Sequence, residues 1–152
     1  MILTQILAPE CIKVPLAGND KQSAITELVN TLDSSKQLID KNEVLQAVMS
    51  RESTRSTGIG SGIAIPHGKC KGVKDLVMAI GISPQGIDFQ SIDGKPVHII
   101  VLLASPIDKT GPHIQALARI SRLMLDEEFK NKLQNSPSAQ KLYELISEKE
   151  AE

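Results

Sequence analysis

Leu76-Val-Met-Ala-Ile-Gly-Ile82 and Val97-His-Ile-Ile-Val-Leu-Leu-Ala104 are two almost unbroken apolar runs of strand length. A strand with one wet face alternates apolar and polar residues, whereas a strand covered on both faces is apolar throughout. The two runs therefore predict a sheet with helices packed on both sides. Between them Ile87 and Phe89 alternate with polar residues and Asp93-Gly94 has turn chemistry, so the chain is expected to make a hairpin-like excursion there.

Working outward toward the N-terminus, Ile12-Lys-Val-Pro15 reads as a short strand ended by proline. Asn19 or Asp20 caps a helix whose apolar residues Ala24, Ile25, Leu28, Val29 and Leu32 form one stripe. Asp40 and Glu43 have the spacing of a capping box ahead of Val44, Leu45, Val48 and Met49, which predicts a second helix to about Arg51-Glu52. Toward the C-terminus, Gly111-Pro112 opens a third helix with proline at its first position. Its inner face is read as Ile114, Leu117, Ala118, Ser121, Met124 and Leu125. Two more helices follow, one capped by Asp126 and one by Ser136 with Pro137 at its start. The last buries Ala139, Leu142, Tyr143 and Ile146. The order of elements predicts a single α/β domain, a mixed parallel/antiparallel β-sheet flanked by α-helices.

The 152 residues suit one domain, with no internal repeat or linker. Hydrophobic content of 41% and charged content of 23% are those of a globular chain. Net charge is −1, the pI is about 6.3 and there is no Trp. Neither a basic footprint nor a base-stacking platform is present, so nucleic acid is not an expected partner. Two cysteines far apart in sequence, Cys11 and Cys70, fit a reduced, cytoplasmic protein. The first residues lack a basic n-region and a long apolar core, so no signal peptide is expected, and no run approaches the roughly 20 residues that span a bilayer.

From Ser53 to Gly72 the texture changes: five glycines with Ser and Thr surround the short apolar stretch Ile63-Ala64-Ile65. A long structured loop with a brief strand inside it is expected, and loops of that length are usually functional. Within it Pro66-His67-Gly68 holds one imidazole. Proline stiffens the approach, and glycine lets a partner or a phosphate come close to the backbone. With one ring nitrogen fixed by a hydrogen bond and the other free, such a histidine is a nucleophile at neutral pH; it is equally compatible with an ordinary loop histidine. Gly58, Gly60 and Gly62 match neither the dinucleotide fingerprint nor a P-loop. They are expected to make tight turns and free N–H groups for an anion, unless they are loop punctuation alone. His113, in the first turn of the third helix, is kept neutral by the helix end and suits donation to a phosphoryl oxygen; taken alone it also fits a partly exposed capping-region histidine. His98 inside the apolar run reads as a packed strand histidine. Arg51 and Arg55 offer a donor fork for phosphate, or pair with Glu52 at the surface. His67, Cys70 and His113 suggest a metal trio only weakly, because no second pair at zinc spacing exists.

The run Ser56-Thr-Gly-Ile-Gly-Ser-Gly-Ile-Ala-Ile-Pro-His67-Gly-Lys69 resembles the active-site signature of EIIA domains of the phosphoenolpyruvate:sugar phosphotransferase system, in the fructose/mannitol and nitrogen-related class. Arg51-Glu52, the segment Phe89 to Val97 with Ile99–Ala104 and Pro106, and His113-Ile-Gln-Ala-Leu117-Ala118 are similar to further family segments in the same order. The resemblance covers residues 1–152 and identifies them as an EIIA type-2 domain. It implies a phosphotransferase acting as a histidine phosphoryl carrier. His67 would be the phosphorylated nucleophile, His113 would hydrogen-bond the phosphoryl group or orient His67, and Arg51 would neutralise charge. The donor would be phospho-HPr or an HPr-like protein, charged through enzyme I from phosphoenolpyruvate, with no metal or organic cofactor. Ser61 stands where Asn is common in the family, and Pro112 directly precedes His113.

Transfer between histidines asks for in-line approach and charge stabilisation, supplied on this reading by Arg51, loop N–H groups and the helix end beside His113. A carrier meets two partners in turn, so a shallow surface around His67 is expected, with Ile59 and Ile63 as contacts. Acceptors divide into two branches: a cysteine of a sugar-specific EIIB domain, or a regulatory state that controls binding to target proteins. The chain contains no attached transporter or EIIB segment, and with the Ser-Thr-Gly-Ile-Gly run this favours the nitrogen-related regulatory branch. The alternatives are a fructose/mannitol-type EIIA, a binding module whose His67 is never phosphorylated, and a small metal-binding protein.

Overall fold

The computed structural model describes residues 2–152. After a 3-10 turn at Leu3–Gln5, the elements are β1 (Leu7–Lys13), α1 (Lys21–Ser34), α2 (Lys41–Thr54), β2 (Gly58–Gly60), β3 (Ile63–Ala64), β4 (His67–Lys69), β5 (Val77–Ile87), β6 (Val97–Ser105), α3 (Thr110–Leu123), α4 (Glu127–Gln134) and α5 (Ala139–Glu150).

The two apolar runs are β5 and β6, paired antiparallel in the middle of a six-stranded sheet. The order is β1-β5-β6-β3-β2, with β4 beside the far end of β6. β1 runs parallel to β5, while β3 and β4 run parallel to β6, so the sheet is mixed. Strand alternation divides the core into two apolar layers. Ile100, Leu102 and Ala104 of β6 face α1 and α2; Ile99, Val101 and Leu103 face α3, α4 and α5. Helices thus cover both faces, which is why these strands carry no polar alternation.

Local signals located most helix starts. Asp20, Asp40 and Asp126 each accept a backbone N–H three residues on, which satisfies a donor the helix leaves free. Ala24, Ile25, Leu28, Val29 and Leu32 are all buried. Other expectations need correction. β1 begins at Leu7 and includes Pro9. It is an edge strand with irregular register between Leu7 and Ile12, the setting in which a strand tolerates proline. The Asp40–Glu43 box is half formed, because the Glu43 carboxylate accepts from the Lys71 N–H while the Asp40 N–H donates to the Gly72 carbonyl. Pro112 is the third residue of α3, not the first. The cap of α5 is Ser138, whose side chain accepts from the Lys141 N–H; Ser136 instead donates back to the Lys132 carbonyl behind it.

The inner face of α3 is also rotated from the expected one. Met124 and, in part, Leu117 are buried as expected, but so are His113, Ala116 and Ile120, whereas Ile114 is 60% and Leu125, just beyond the helix, 79% exposed. Among the described residues no helix is long and apolar enough to cross a membrane.

Candidate functional site

The segment expected to be a loop with one brief strand carries three short ones: β3 and β4 follow one another along one edge of β6, and β2 pairs antiparallel with the outer side of β3. β4 pairs His67 with Leu103, Gly68 with Ala104 and Lys69 with Ser105. Gly68 is buried, and a Cβ built there would lie 3.1 Å from backbone atoms of Ala47 and Val48 in α2. This glycine admits helix α2, not the phosphate or partner expected from sequence. Because side chains alternate, a residue before a glycine that faces α2 points to the opposite face. His67 therefore turns toward the layer of α3, whose first turn carries His113.

The two imidazole rings lie with centroids 5.4 Å apart, tilted by 59°. The Nδ1–H of His67 donates to the Ile65 carbonyl at 2.8 Å. A carbonyl can only accept, so this bond places the ring proton on Nδ1 and leaves Nε2 with a bare lone pair. Burial holds the His67 pKa below the usual imidazole value; the Ile65 carbonyl opposes this, Arg51 adds to it, Glu52 opposes it, and Lys69 adds to it. His113 is 4% exposed, with Nδ1 2.6 Å from the buried Ser105 Oγ. Its pKa is lowered to about 4, first by burial, then by repulsion from the His67 ring once that ring is protonated, and by the positive charge of Lys69. Burial, ahead of the helix end invoked from sequence, keeps it neutral.

Arg51 leaves the last turn of α2, half-buried, and donates from Nη1 to the Arg55 carbonyl at 2.8 Å. It does not pair with Glu52. Glu52 is buried and accepts from the Thr57 N–H at 2.8 Å, from the Thr57 hydroxyl and from Lys21 Nζ at 3.1 Å. This carboxylate ties the end of α2 to the start of the glycine-rich segment, and sequence reading did not assign it that task. A lone acid beside Arg51 reads locally as its partner; the real partner arrives from α1.

The glycine turn is occupied with its own bonds. Gly60 and Gly62 have φ of 94° and 82°, and Ser61 between them has φ of 59°, a region Asn tolerates well and serine less readily. The Ser61 N–H donates to Asp93 at 2.9 Å, and the Ser61 carbonyl accepts from Lys130 Nζ at 2.8 Å. That N–H is therefore not free for an anion, and the turn borders the start of β6, away from His67 at its end. Ile59 is exposed as expected of a contact residue, but Ile63 is 1% exposed and belongs to the core. His98 is a packed strand residue, with the Ser83 carbonyl accepting from Nδ1 at 2.9 Å. Cys70 is buried among apolar residues beside α2, and among the described residues no three His, Cys, Asp or Glu converge as metal ligands.

The sequence model described as "Phosphoenolpyruvate-dependent sugar phosphotransferase system, EIIA 2" matches residues 5–149. The chain is 36% identical over 149 residues to a nitrogen regulatory protein of Bradyrhizobium diazoefficiens, covering 97% of this chain and 95% of that one. It is 35% identical over 148 residues to a fructose-specific EIIABC component of Bacillus subtilis, covering 97% of this chain but 23% of that longer protein. The crystal structure of nitrogen regulatory protein IIA-Ntr from Neisseria meningitidis superposes with a TM-score of 0.87 at 27% identity, covering 94% of this chain and 97% of that one. A match across nearly the whole chain, on the same mixed sheet and helices, has one meaning: this protein belongs to the EIIA 2 family of the phosphoenolpyruvate-dependent sugar phosphotransferase system.

Proposed function

We propose that the protein carries a phosphoryl group on Nε2 of His67. The observation that carries this reading is the Nδ1–H bond to the Ile65 carbonyl, which leaves Nε2 as the ring's only lone pair. Burial of the ring and the nearby positive charges keep that pair unprotonated. In the transfer, the Nε2 pair attacks phosphorus of a phosphohistidine on an HPr or HPr-like donor. The bond from phosphorus to the donor nitrogen breaks, and its electron pair returns to the donor imidazole. The His67 ring then carries positive charge, with Nδ1–H still held by the Ile65 carbonyl.

Arg51 and Lys69 stabilise the arriving phosphoryl oxygens, since the same charges that disfavour imidazolium at His67 favour a dianion there. The neutral His113 ring supplies a hydrogen bond. For the onward step we place the chain in the nitrogen-related regulatory branch, which its 36% identity to the Bradyrhizobium nitrogen regulatory protein supports. The 35% identity to the fructose component supports a second acceptor, the cysteine of an EIIB domain.

The test is intact-mass analysis after incubation with phosphoenolpyruvate, enzyme I and HPr, alongside His67→Ala. One acid-labile phosphoryl adduct on the wild type and none on the variant is the expected result. Failure with both HPr and a nitrogen-branch HPr paralogue would leave a binding module in place of a carrier. Offering the phosphorylated protein an EIIB domain separates the branches: loss of the adduct to its cysteine marks the sugar branch.

A further inference from the structure

We propose that Ser105 is a positioning residue: its hydroxyl donates to His113 Nδ1 and so holds His113 as the Nε2–H tautomer, a ready hydrogen-bond donor to the phosphoryl group on His67. The inference rests on the carrier reading above. Ser105 ends β6, fully buried. Strand alternation puts it on the same face as Val101 and Leu103, the face covered by α3. Its carbonyl accepts from the Cys70 N–H just beyond β4 at 3.0 Å, so the paired strands set the position of its oxygen.

A neutral imidazole carries one proton, and two arrangements fit a 2.6 Å contact between Ser105 Oγ and His113 Nδ1. If Nδ1 held the proton, it would donate to Oγ, and the hydroxyl proton would need an acceptor elsewhere. Ser105 Oγ has no second partner among the described residues, and a buried donor left unpaired is destabilising. With the hydroxyl donating, both groups are satisfied and the ring proton sits on Nε2. The two histidines then hold opposite tautomers for opposite tasks. A carbonyl, which only accepts, leaves His67 Nε2 as a nucleophile, and a hydroxyl leaves His113 Nε2 as a donor.

The test compares wild type, Ser105→Ala and Ser105→Thr. Two-bond proton–nitrogen spectra of labelled histidine at neutral pH should show His113 as Nε2–H in wild type and Ser105→Thr. Ser105→Ala should show a mixture or Nδ1–H. Single-turnover phosphorylation by the HPr-type donor should slow by about tenfold in Ser105→Ala, a fraction of what losing a whole oxyanion donor costs. Half-saturation by the donor should not change, and threonine should restore the rate. A wild-type His113 with its proton on Nδ1, an unaltered tautomer in Ser105→Ala, or equal rates in all three would overturn the proposal. If the alanine variant does not fold, the wild-type spectrum and the threonine variant decide. The spectra need no phosphate, so absence of any adduct on wild type would remove the carrier reading while the tautomer is still read out.

Discussion

His113 shows how much one side chain's surroundings set its chemistry. The unfolded residue takes up a proton near 6.5, the folded one near 4. Between those values the unfolded chain binds the proton and the folded chain does not. The stability present above about pH 6.5 is therefore lost as pH falls toward 4, by up to about 3 kcal/mol from this residue alone. Urea unfolding followed from neutrality to about pH 4 should show that decline, and His113→Gln should flatten it; an identical slope in the variant would remove burial of His113 as its cause. At this scale the sequence marked His67, His113 and Arg51 as the candidates. It did not show the Ile65 carbonyl, whose bond to a ring two residues on depends on the local backbone turn, nor Ser105 and the buried Glu52, which meet His113 and Lys21 through helix packing. Gly68 was noticed for the wrong neighbour, its space being taken by the backbone of α2.

Among the elements, α3 separates composition from placement. Reading Ile114 and Leu125 as core residues follows their apolarity, yet the helix sits rotated so that His113, Ala116 and Ile120 point inward. A histidine is not counted into an apolar stripe, and leaving it out shifts the inferred face by about one residue, or 100° of helix. The rotated face predicts that Ile114→Ser changes stability by no more than about 0.5 kcal/mol. Ile120→Ala should cost about 2–5 kcal/mol. Paired urea titrations check both, and a larger loss at Ile114 than at Ile120 would mean that the helix packs as the sequence suggested. Capping was more legible, because Asp20, Asp40 and Asp126 act on N–H groups three residues away. Ser136 and Ser138 both suit a cap, and only the observed bond to the Lys141 N–H distinguishes them.

For the molecule as a whole, the sheet separates two apolar layers and the site lies where both helical layers meet one strand end. The layer under α1 and α2 contains Phe89, fully buried. Lys21 Nζ lies 5.2 Å from its ring centroid and also bonds Glu52 and Gln90. Phe89 thus underpins the junction of α1, α2 and the glycine-rich segment from which β4 follows. Phe89→Ala should cost about 3–5 kcal/mol, at the large end for core truncations. Urea unfolding measures that loss; a change below about 1 kcal/mol would mean that the layer collapses around the void.

Several features of this protein were settled by the sequence alone. The two unbroken apolar runs imply a sheet covered on both faces, Asp40 and Asp126 mark the starts of two helices, and the run ending in Pro66-His67-Gly68 points to the family. These signals act within a few residues or through simple periodicity, so no long-range information is needed to read them. Tertiary structure decided which way α3 faces, that Glu52 belongs to Lys21 and Thr57, that Gly68 makes room for α2, and that Ser105 stands against His113. Each depends on how strands pair and helices pack in three dimensions, even where the partners are near in sequence as Ser105 and His113 are, and no local pattern encodes that packing.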